Sequence, residues 1–418
     1  MMRKIRFVSL IGAIGAMLGG YGLITPVFAD TPASVQSDAQ SDVQMMSFSD
    51  WKRDFAGKAL AAGIAEPLIT EFVQKTQPYE RAITHDNNQS EFKKFLWDYL
   101  SSAVSAQRVI TGKAQYQQYT GLFDKISQQT GVPGHIVTAI WGMESNYGGF
   151  MGNVPIISAM ATLAYDGRRR AFFEQELLAA LKLISRGDLS SLDITGSWAG
   201  GMGHTQFIPS TYLQYAIDFN QDGRRDLWEA NDALASAGFY LAEMGWQSGY
   251  TWGREVSLPT DFDYWLANNR SDWLSLSQWQ SHGVRAVDGA PLPAVDIEAQ
   301  LFVPAGRFGP KFLLYRNFDV IKRYNNSDAY ALAVGLLSDQ IAGRAPLSVA
   351  WPNNAKPVSS NDIKLIQQSL NSKGFDAGAV DGLFGNKTRR ALQQFQQSKG
   401  MVADGFLTTE LYRDVVSP

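Results

Sequence analysis

Along most of the chain, apolar positions return every three or four residues. Trp51, Phe55, Ala59 and Ala62 share one helical face, and Phe92, Phe95, Leu96, Tyr99 and Leu100 share another. Few stretches alternate with period two, so Phe48 to about Ala345 is predicted to be a mainly α body. Within it, the stretch PGHIVTAIWGMESNYGG opens at Pro133 and puts Ile136, Ile140 and Glu144 at i, i+4 and i+8. Gly148 and Gly149 are expected to close that helix. The pattern breaks at APLSVAWPNNAKPVSS, where Pro346, Pro352 and Pro357 predict a semi-stiff linker over 346–357.

The last segment, 358–418, contains an internal echo. Ile366-Gln367-Gln368-Ser369-Leu370 leads to Lys373-Gly374, and 26 positions later Leu392-Gln393-Gln394-Phe395-Gln396 leads to Lys399-Gly400. Asp-Gly turns follow each copy, at Asp381-Gly382 and Asp404-Gly405. Two amphipathic helices capped by glycine, each followed by a turn, predict a small helical module.

Two segments at the other end are not part of this pattern. Arg3, Lys4 and Arg6 precede the apolar run Phe7–Leu23, and Val27-Phe28-Ala29 places small residues before a cut at Asp30. Residues 1–29 therefore read as a cleaved export signal, too short for a membrane anchor and without stop-transfer charges. Residues 30–46 are small and polar without period, which predicts a flexible leader.

Composition narrows the function. A length of 418 residues favours two or three units, and 45% hydrophobic and 18% charged residues supply a sizeable core. There is no Cys, which excludes disulfide scaffolds, thiol nucleophiles, Cys-ligated metal centres and lipid attachment at Cys. Loss of the export signal's three basic residues moves the formal charge from −3 to −6, and no basic patch points to nucleic acid. The mature chain is expected in the periplasm, or fully secreted, without a membrane anchor.

Three segments carry chemistry. Glu144 shares the apolar stripe of its helix and lies near the negative end of the helix dipole, so its carboxyl is expected to hold its proton near neutral pH. Protonating a glycosidic oxygen requires such an acid. Downstream, Gly196-Ser197-Trp198-Ala199-Gly200-Gly201-Met202-Gly203-His204-Thr205-Gln206 allows close backbone approach, with Ser197 and Gln206 as neutral hydrogen-bonding groups. Finally, Asp218-Phe219-Asn220-Gln221-Asp222-Gly223-Arg224 runs on to Glu229 at the twelfth position, which fits a calcium loop or an Asx turn held by its own hydrogen bonds. Arg224 takes the seventh position, and Arg225 stands where such loops usually carry an apolar residue.

These motifs carry two resemblances. Val380-Asp381-Gly382-Leu383-Phe384-Gly385-Asn386-Lys387-Thr388, with Ala391, Phe395 and Gln396, resembles the peptidoglycan-binding domain family over 361–415. That resemblance implies a three-helix fold that docks on wall glycopeptide. E-S-N-Y-G at 144–148, GSWAGGMGHTQFIPSTY at 196–212, and Arg323-Tyr324-Asn325-Asn326-Ser327 with Tyr330 resemble the lytic transglycosylases of the MltB type from about Phe48 to Ala342. The implied fold is lysozyme-like and the implied domain spans 47–345.

The second resemblance also implies roles. The family's acid falls on Glu144, the serine that hydrogen-bonds it on Ser197, and its sugar-contacting glutamine on Gln206. Its cleft aromatics and asparagine fall on Tyr99, Tyr240, Tyr324, Asn325 and Tyr330. The acid that closes its calcium loop falls on Asp232, with Glu229 as the alternative, so a structural calcium would sit on Asp218, Asn220, Asp222, Arg224 and Asp232. No cofactor is required for the chemistry. His204 and Gly201 stand where the family varies and receive no role. The implied reaction cleaves the β-1,4 MurNAc–GlcNAc bond of peptidoglycan, with the C6 hydroxyl of MurNAc closing a 1,6-anhydro ring. The competing readings are a hydrolytic muramidase using a second acid such as Asp166, and a non-catalytic wall-binding protein.

Overall fold

The computed structural model describes residues 46–87, 95–267, 272–353, 355–356 and 358–417. The export signal, all but the last residue of the leader, Phe92 and Pro357 lie outside the described residues. Helices dominate. α1 (Phe48–Ala61) and α2 (Glu66–Lys75) are followed by α3 (Arg81–Asn87), α4 (Leu96–Ala103), α5 (Ala106–Gln118) and α6 (Thr120–Thr130). Then come α7 (Gly134–Ser145), α8 (Ile156–Asp166), α9 (Arg170–Arg186), α10 (Pro209–Tyr215) and α11 (Ala230–Glu243).

The predicted faces are the buried ones. On α1, Ser47 Oγ accepts the Asp50 N–H as a cap, while Trp51 and Phe55 are fully buried and Ala59 nearly so. Helix α7 is apolar almost all round and lies inside a cage of α5, α6, α11 and α14 (Asp328–Ile341). One large core, from Trp51 and Phe72 through Ile140 and Phe173 to Leu332, unites these helices.

A five-stranded antiparallel sheet was not apparent from the hydrophobic pattern. Its order is β4 (Leu274–Ser275), β6 (Glu298–Phe302), β7 (Lys311–Leu314), β3 (Gly253–Ser257) and β5 (Arg285–Ala286). The central strands face apolar side chains on both sides: Phe312 and Leu314 join the large core, while Leu301 and Leu313 join a second core with Val256 and Trp279. Two buried faces remove the alternation that a half-buried strand displays. Helix α12 (Leu276–Ser281) covers this second core, and α13 (Arg316–Tyr324) returns the chain to α14. A short ladder of β1 (Val154–Pro155) with β2 (Thr195–Gly196) holds the entry of the Gly-rich loop beside α8.

The C-terminal segment folds as α15 (Ser360–Ser372), α16 (Asn386–Ser398) and α17 (Thr409–Val416) around Ile366, Leu370, Leu392, Phe395 and Leu411. The preceding stretch is packed down instead of standing free. Ser348 and Val349 N–H groups donate to the Glu255 carboxylate at 2.8 and 3.0 Å, and the Trp351 ring stacks on Trp97 at 5.5 Å. The linker's residues 348–351 therefore form a strap along the helical body.

The helix of Glu144 ends earlier than its glycines suggested. α7 stops at Ser145, and Asn146, Tyr147 and Gly148 follow with φ of 50°, 59° and 78°. Two consecutive non-glycine residues in the left-handed region are strained, and packing must hold them there. The Tyr147 ring is the means: its hydroxyl donates to Arg108 O at 2.8 Å, and the ring lies over Gly112 of α5 and Gly142 of α7. A Cβ added at Gly142 would lie 2.5 Å from Tyr147 Cζ. Helix propensity alone would make Gly142→Ala stabilising by ~1 kcal/mol. Overpacking should reverse the sign and destabilise by ~1–3 kcal/mol, read by denaturant unfolding; a stabilised variant would show that Tyr147 does not depend on this glycine.

Candidate active site

Ile136, Ile140 and Glu144 do share one buried face of α7, and Glu144 is 8% exposed. Its carboxyl meets the first turn of α14, where Ser327 Oγ accepts the Tyr330 N–H. The Tyr330 hydroxyl donates to Glu144 Oε1 at 2.5 Å, while Oε2 has no hydrogen-bond partner among the described residues. Burial pushes the Glu144 carboxyl up from 4.5 to about 8, and the Tyr330 hydrogen bond opposes that rise without cancelling it. The acid is thus proton-loaded at neutral pH, as its sequence position implied.

Tyrosines surround it. Burial, and the nearby Glu144 charge after it, raise the hydroxyl pKa of Tyr99, Tyr324 and Tyr330, so all three face the carboxyl as neutral phenols. Tyr324 donates to Thr205 O at 2.5 Å and so ties α13 to the Gly-rich loop. Tyr240 lies one layer behind: its ring packs against Tyr324 and Phe207, and its hydroxyl donates to Arg323 O at 2.7 Å. It backs Tyr324 from within the core. Asn325, also buried, follows Tyr324 at the end of α13.

Ser197 departs from its implied role. Its Oγ accepts the Gly201 N–H at 2.8 Å, and its own N–H donates to Gly201 O at 2.8 Å, closing a tight loop. The carboxyl's partner is Tyr330, and the hydrogen bond expected between Ser197 and Glu144 is not formed. Gln206, at φ 52°, gives its amide nitrogen to Met151 O and Gly203 O, which leaves Oε1 beside Gly201.

Two residues given no role from the sequence organise this loop. A Cβ at Gly201 would lie 2.8 Å from Ser197 Oγ and 2.9 Å from Gln206 Oε1, so only glycine lets the two groups converge. His204 Nδ1 accepts the Trp141 indole N–H at 3.0 Å, and His204 O accepts Ser145 Oγ at 2.6 Å. Burial lowers the His204 pKa, which keeps the ring neutral and able to accept. Both contacts come from α7, within three residues of Glu144. Tyr147 belongs with them. The glycines at 142, 148 and 201 were the available signal, but their facing rings and polar groups come from distant segments.

The acidic loop is closed largely by its own hydrogen bonds. Asp218 accepts from Asp222 N and Gly223 N, and Asp222 accepts from Arg224 N at 2.9 Å. Asp232 is fully buried, its Oδ1 accepting from Phe219 N and Asn220 N and its Oδ2 from Asp226 N. Glu229 caps α11 by accepting the Asp232 N–H at 3.0 Å. Among the described residues, no three His, Asp or Glu side chains gather as a metal cluster. The all-oxygen set of Asp218, Asn220, Asp222 and the Arg224 carbonyl suits a hard cation such as calcium, and Gly223 at φ 90° makes the sharp turn. Asp232 fits less directly, because its oxygens already clamp the loop's two ends.

Comparison with known proteins gives a consistent picture. A family model described as "Transglycosylase SLT domain" matches residues 47–339, and one described as "Putative peptidoglycan binding domain" matches 359–413. The chain is 32% identical over 250 residues to membrane-bound lytic murein transglycosylase B of Escherichia coli (strain K12), covering 58% of this chain and 66% of that protein. The crystal structure of SltB3 from Pseudomonas aeruginosa in complex with NAG-anhNAM-pentapeptide is similar, with a TM-score of 0.83 and 44% identity. That match covers 89% of this chain and 100% of SltB3. Escherichia coli lytic transglycosylase Slt35 in complex with calcium matches with a TM-score of 0.62 and 28% identity, over 73% of this chain and 98% of that one.

The buried acid has a thermodynamic consequence. Between 4.5, its ordinary value, and about 8, the folded protein holds a proton at Glu144 that the unfolded chain releases. Stability from this group is therefore lost as pH rises through that window. Glu144→Gln should melt with wild type near pH ~4 and progressively above it toward pH ~8. An offset independent of pH in paired thermal melts would show that the carboxyl does not titrate this way.

Proposed function

The chain belongs to the transglycosylase SLT domain family, and we propose that, as a lytic transglycosylase, it cleaves the β-1,4 MurNAc–GlcNAc bond of peptidoglycan without water, Glu144 serving as acid and then as base. The observation that carries this reading is the buried Glu144 carboxyl, with the Tyr330 phenol on Oε1 and no hydrogen-bond partner on Oε2 among the described residues. Among the described residues, none of the groups that perturb Glu144 is a carboxylate. A conventional retaining or inverting hydrolase needs a second one about 5–9.5 Å away. Asp166, the sequence-level alternative, is engaged with Arg168 at 3.0 Å.

Each step then has a residue. Glu144 gives its proton to the leaving glycosidic oxygen as the C1–O bond breaks. The resulting carboxylate is poorly solvated, and Tyr330 O–H stabilises it at Oε1 while Oε2 is free to act. The C6 hydroxyl of MurNAc attacks C1 and returns its proton to Glu144, so the acid is regenerated and no water is consumed. Tyr99, Tyr324, Asn325 and the Gln206 carbonyl would position the sugars, with Gln206 or Asn325 orienting the N-acetyl group. The SltB3 relative is bound to an anhydro-sugar peptide, the product class proposed for this chain.

The C-terminal helices would hold the enzyme on its insoluble substrate, glycan strands and stem peptides together. The export-signal pattern of residues 1–29 supports export to the periplasm, and no helix among the described residues is long and apolar enough to cross a membrane. Calcium, bound by Slt35, would occupy the Asp218–Arg224 loop as a structural ion, with Asp232 or Glu229 completing it.

Two measurements test these readings. Mass spectrometry of products from purified sacculi should find species one water lighter than hydrolysed muropeptides, and Glu144→Gln should release almost none. Hydrolysed products would establish a muramidase instead. For the loop, calcium at millimolar concentration should raise the melting temperature of wild type but not of Asp218→Ala; an unmoved wild-type melt would remove the ion.

A further inference from the structure

The echo in the C-terminal helices is an echo of hydrogen bonds. Gln367 Oε1 accepts the Gly382 N–H at 3.0 Å, while Gln367 Nε2 and the Leu383 N–H both donate to Asp381 Oδ1 at 2.9 and 2.8 Å. In the second copy, Gln396 Oε1 accepts the Gly405 N–H at 2.8 Å, while Gln396 Nε2 and the Phe406 N–H donate to Asp404 Oδ1 at 2.8 and 3.0 Å. The two turns are the same clamp, and each leaves one carboxylate oxygen outside it.

In the second copy that oxygen is used. Asp404 Oδ2 accepts the main-chain N–H of Arg307 at 3.0 Å, and Phe406 packs with Phe308 and Trp97. The residue before the donating amide is Gly306, at φ 53°. A Cβ of L configuration there would lie 2.5 Å from Phe406 Cβ and 2.7 Å from Asp404 Oδ2. This copy has therefore captured a peptide backbone at a residue that must be glycine or of D configuration, since D residues favour the mirrored, positive φ.

The first copy is open. Asp381 Oδ2 makes no hydrogen bond among the described residues, and Leu383, which corresponds to Phe406, is 63% exposed beside Val380 at 39%. Hydrogen bonds to Asp381 hold its carboxyl below its usual range, so the open oxygen is an anionic acceptor. We propose that the Asp381-Gly382-Leu383 turn binds a main-chain N–H of the peptidoglycan stem peptide, at a site preceded by a D residue or glycine. The proposal rests on the murein reading above and adds to it: the peptide, and not the sugar, is what this turn recognises. Leu383 and Val380 cover the apolar side of that peptide as Phe406 covers Gly306.

Binding by the full chain in a Glu144→Gln background, where the wall is not digested, tests this. Asp381→Asn keeps the Oδ1 acceptor of the clamp but presents an amide donor in place of Oδ2. It should bind intact sacculi roughly tenfold more weakly, the scale of one charge-assisted hydrogen bond. On sacculi stripped of stem peptides it should match its parent. A soluble stem peptide containing D-alanine should displace the parent from intact sacculi, and its all-L counterpart should not. Unchanged binding to intact sacculi, equal loss on stripped glycan, or equal displacement by the two peptides would each overturn the proposal. Should Asp381→Asn melt abnormally, Leu383→Ser, which leaves the clamp alone, decides: weaker binding to intact sacculi supports the site and unchanged binding overturns it. No arm reads turnover, so failure here and failure of the lyase assignment are separable.

Discussion

A carboxyl that must keep its proton at neutral pH has to be withheld from water, and the helical body is arranged around that requirement. Glu144 is buried on a helix that is itself enclosed, with a phenol on one oxygen and no counter-charge to relieve it. At neutral pH the arrangement costs roughly a few kcal/mol, a sizeable part of the ~5–15 kcal/mol by which a domain is usually stable. A large core offsets that cost together with the strain at the end of α7. Tyr147 fixes the end of α7 against α5, and Trp141 and Ser145 bind the Gly-rich loop through His204. The acid and the loop beside it are consequently positioned by the same helix.

Much of this was legible in residue order. The stripe of Ile136, Ile140 and Glu144 foretold both burial and a raised pKa, because helical period and desolvation act locally. The mainly helical body and two of the C-terminal helices followed from the same kind of pattern, and the third from the resemblance to the peptidoglycan-binding family. What was illegible depends on which distant groups meet. Ser197 and Glu144 were expected to pair, yet Ser197 closes onto Gly201 four residues away and Tyr330, 186 residues away, takes the carboxyl. The five-stranded sheet escaped notice because Leu313 and its neighbours Phe312 and Leu314 are all buried, in two different cores. For Tyr240, which the resemblance places among the cleft aromatics, residue order gave no sign that its hydroxyl would bond to the Arg323 carbonyl, 83 residues away.

The acidic loop illustrates a further limit. Alternating Asp and Asn oxygens read equally as a cation site or as a self-bonded turn, since both need short polar side chains around a glycine. In the fold the turn is made, and Asp232 is the bolt across its ends. Three backbone N–H groups offset part of its desolvation, which still leaves its pKa raised.

The strap between the two helical bodies has a consequence for how a polymer is cut. With Glu255 gripping two of its amides, Trp351 stacked on Trp97 and Asp404 bonded to Arg307, the wall-binding helices do not sweep a volume around the cleft. These contacts tie them to the helical body that carries Glu144. On a substrate of regular repeat, such a caliper would convert the choice of anchoring point into a choice of cleavage point.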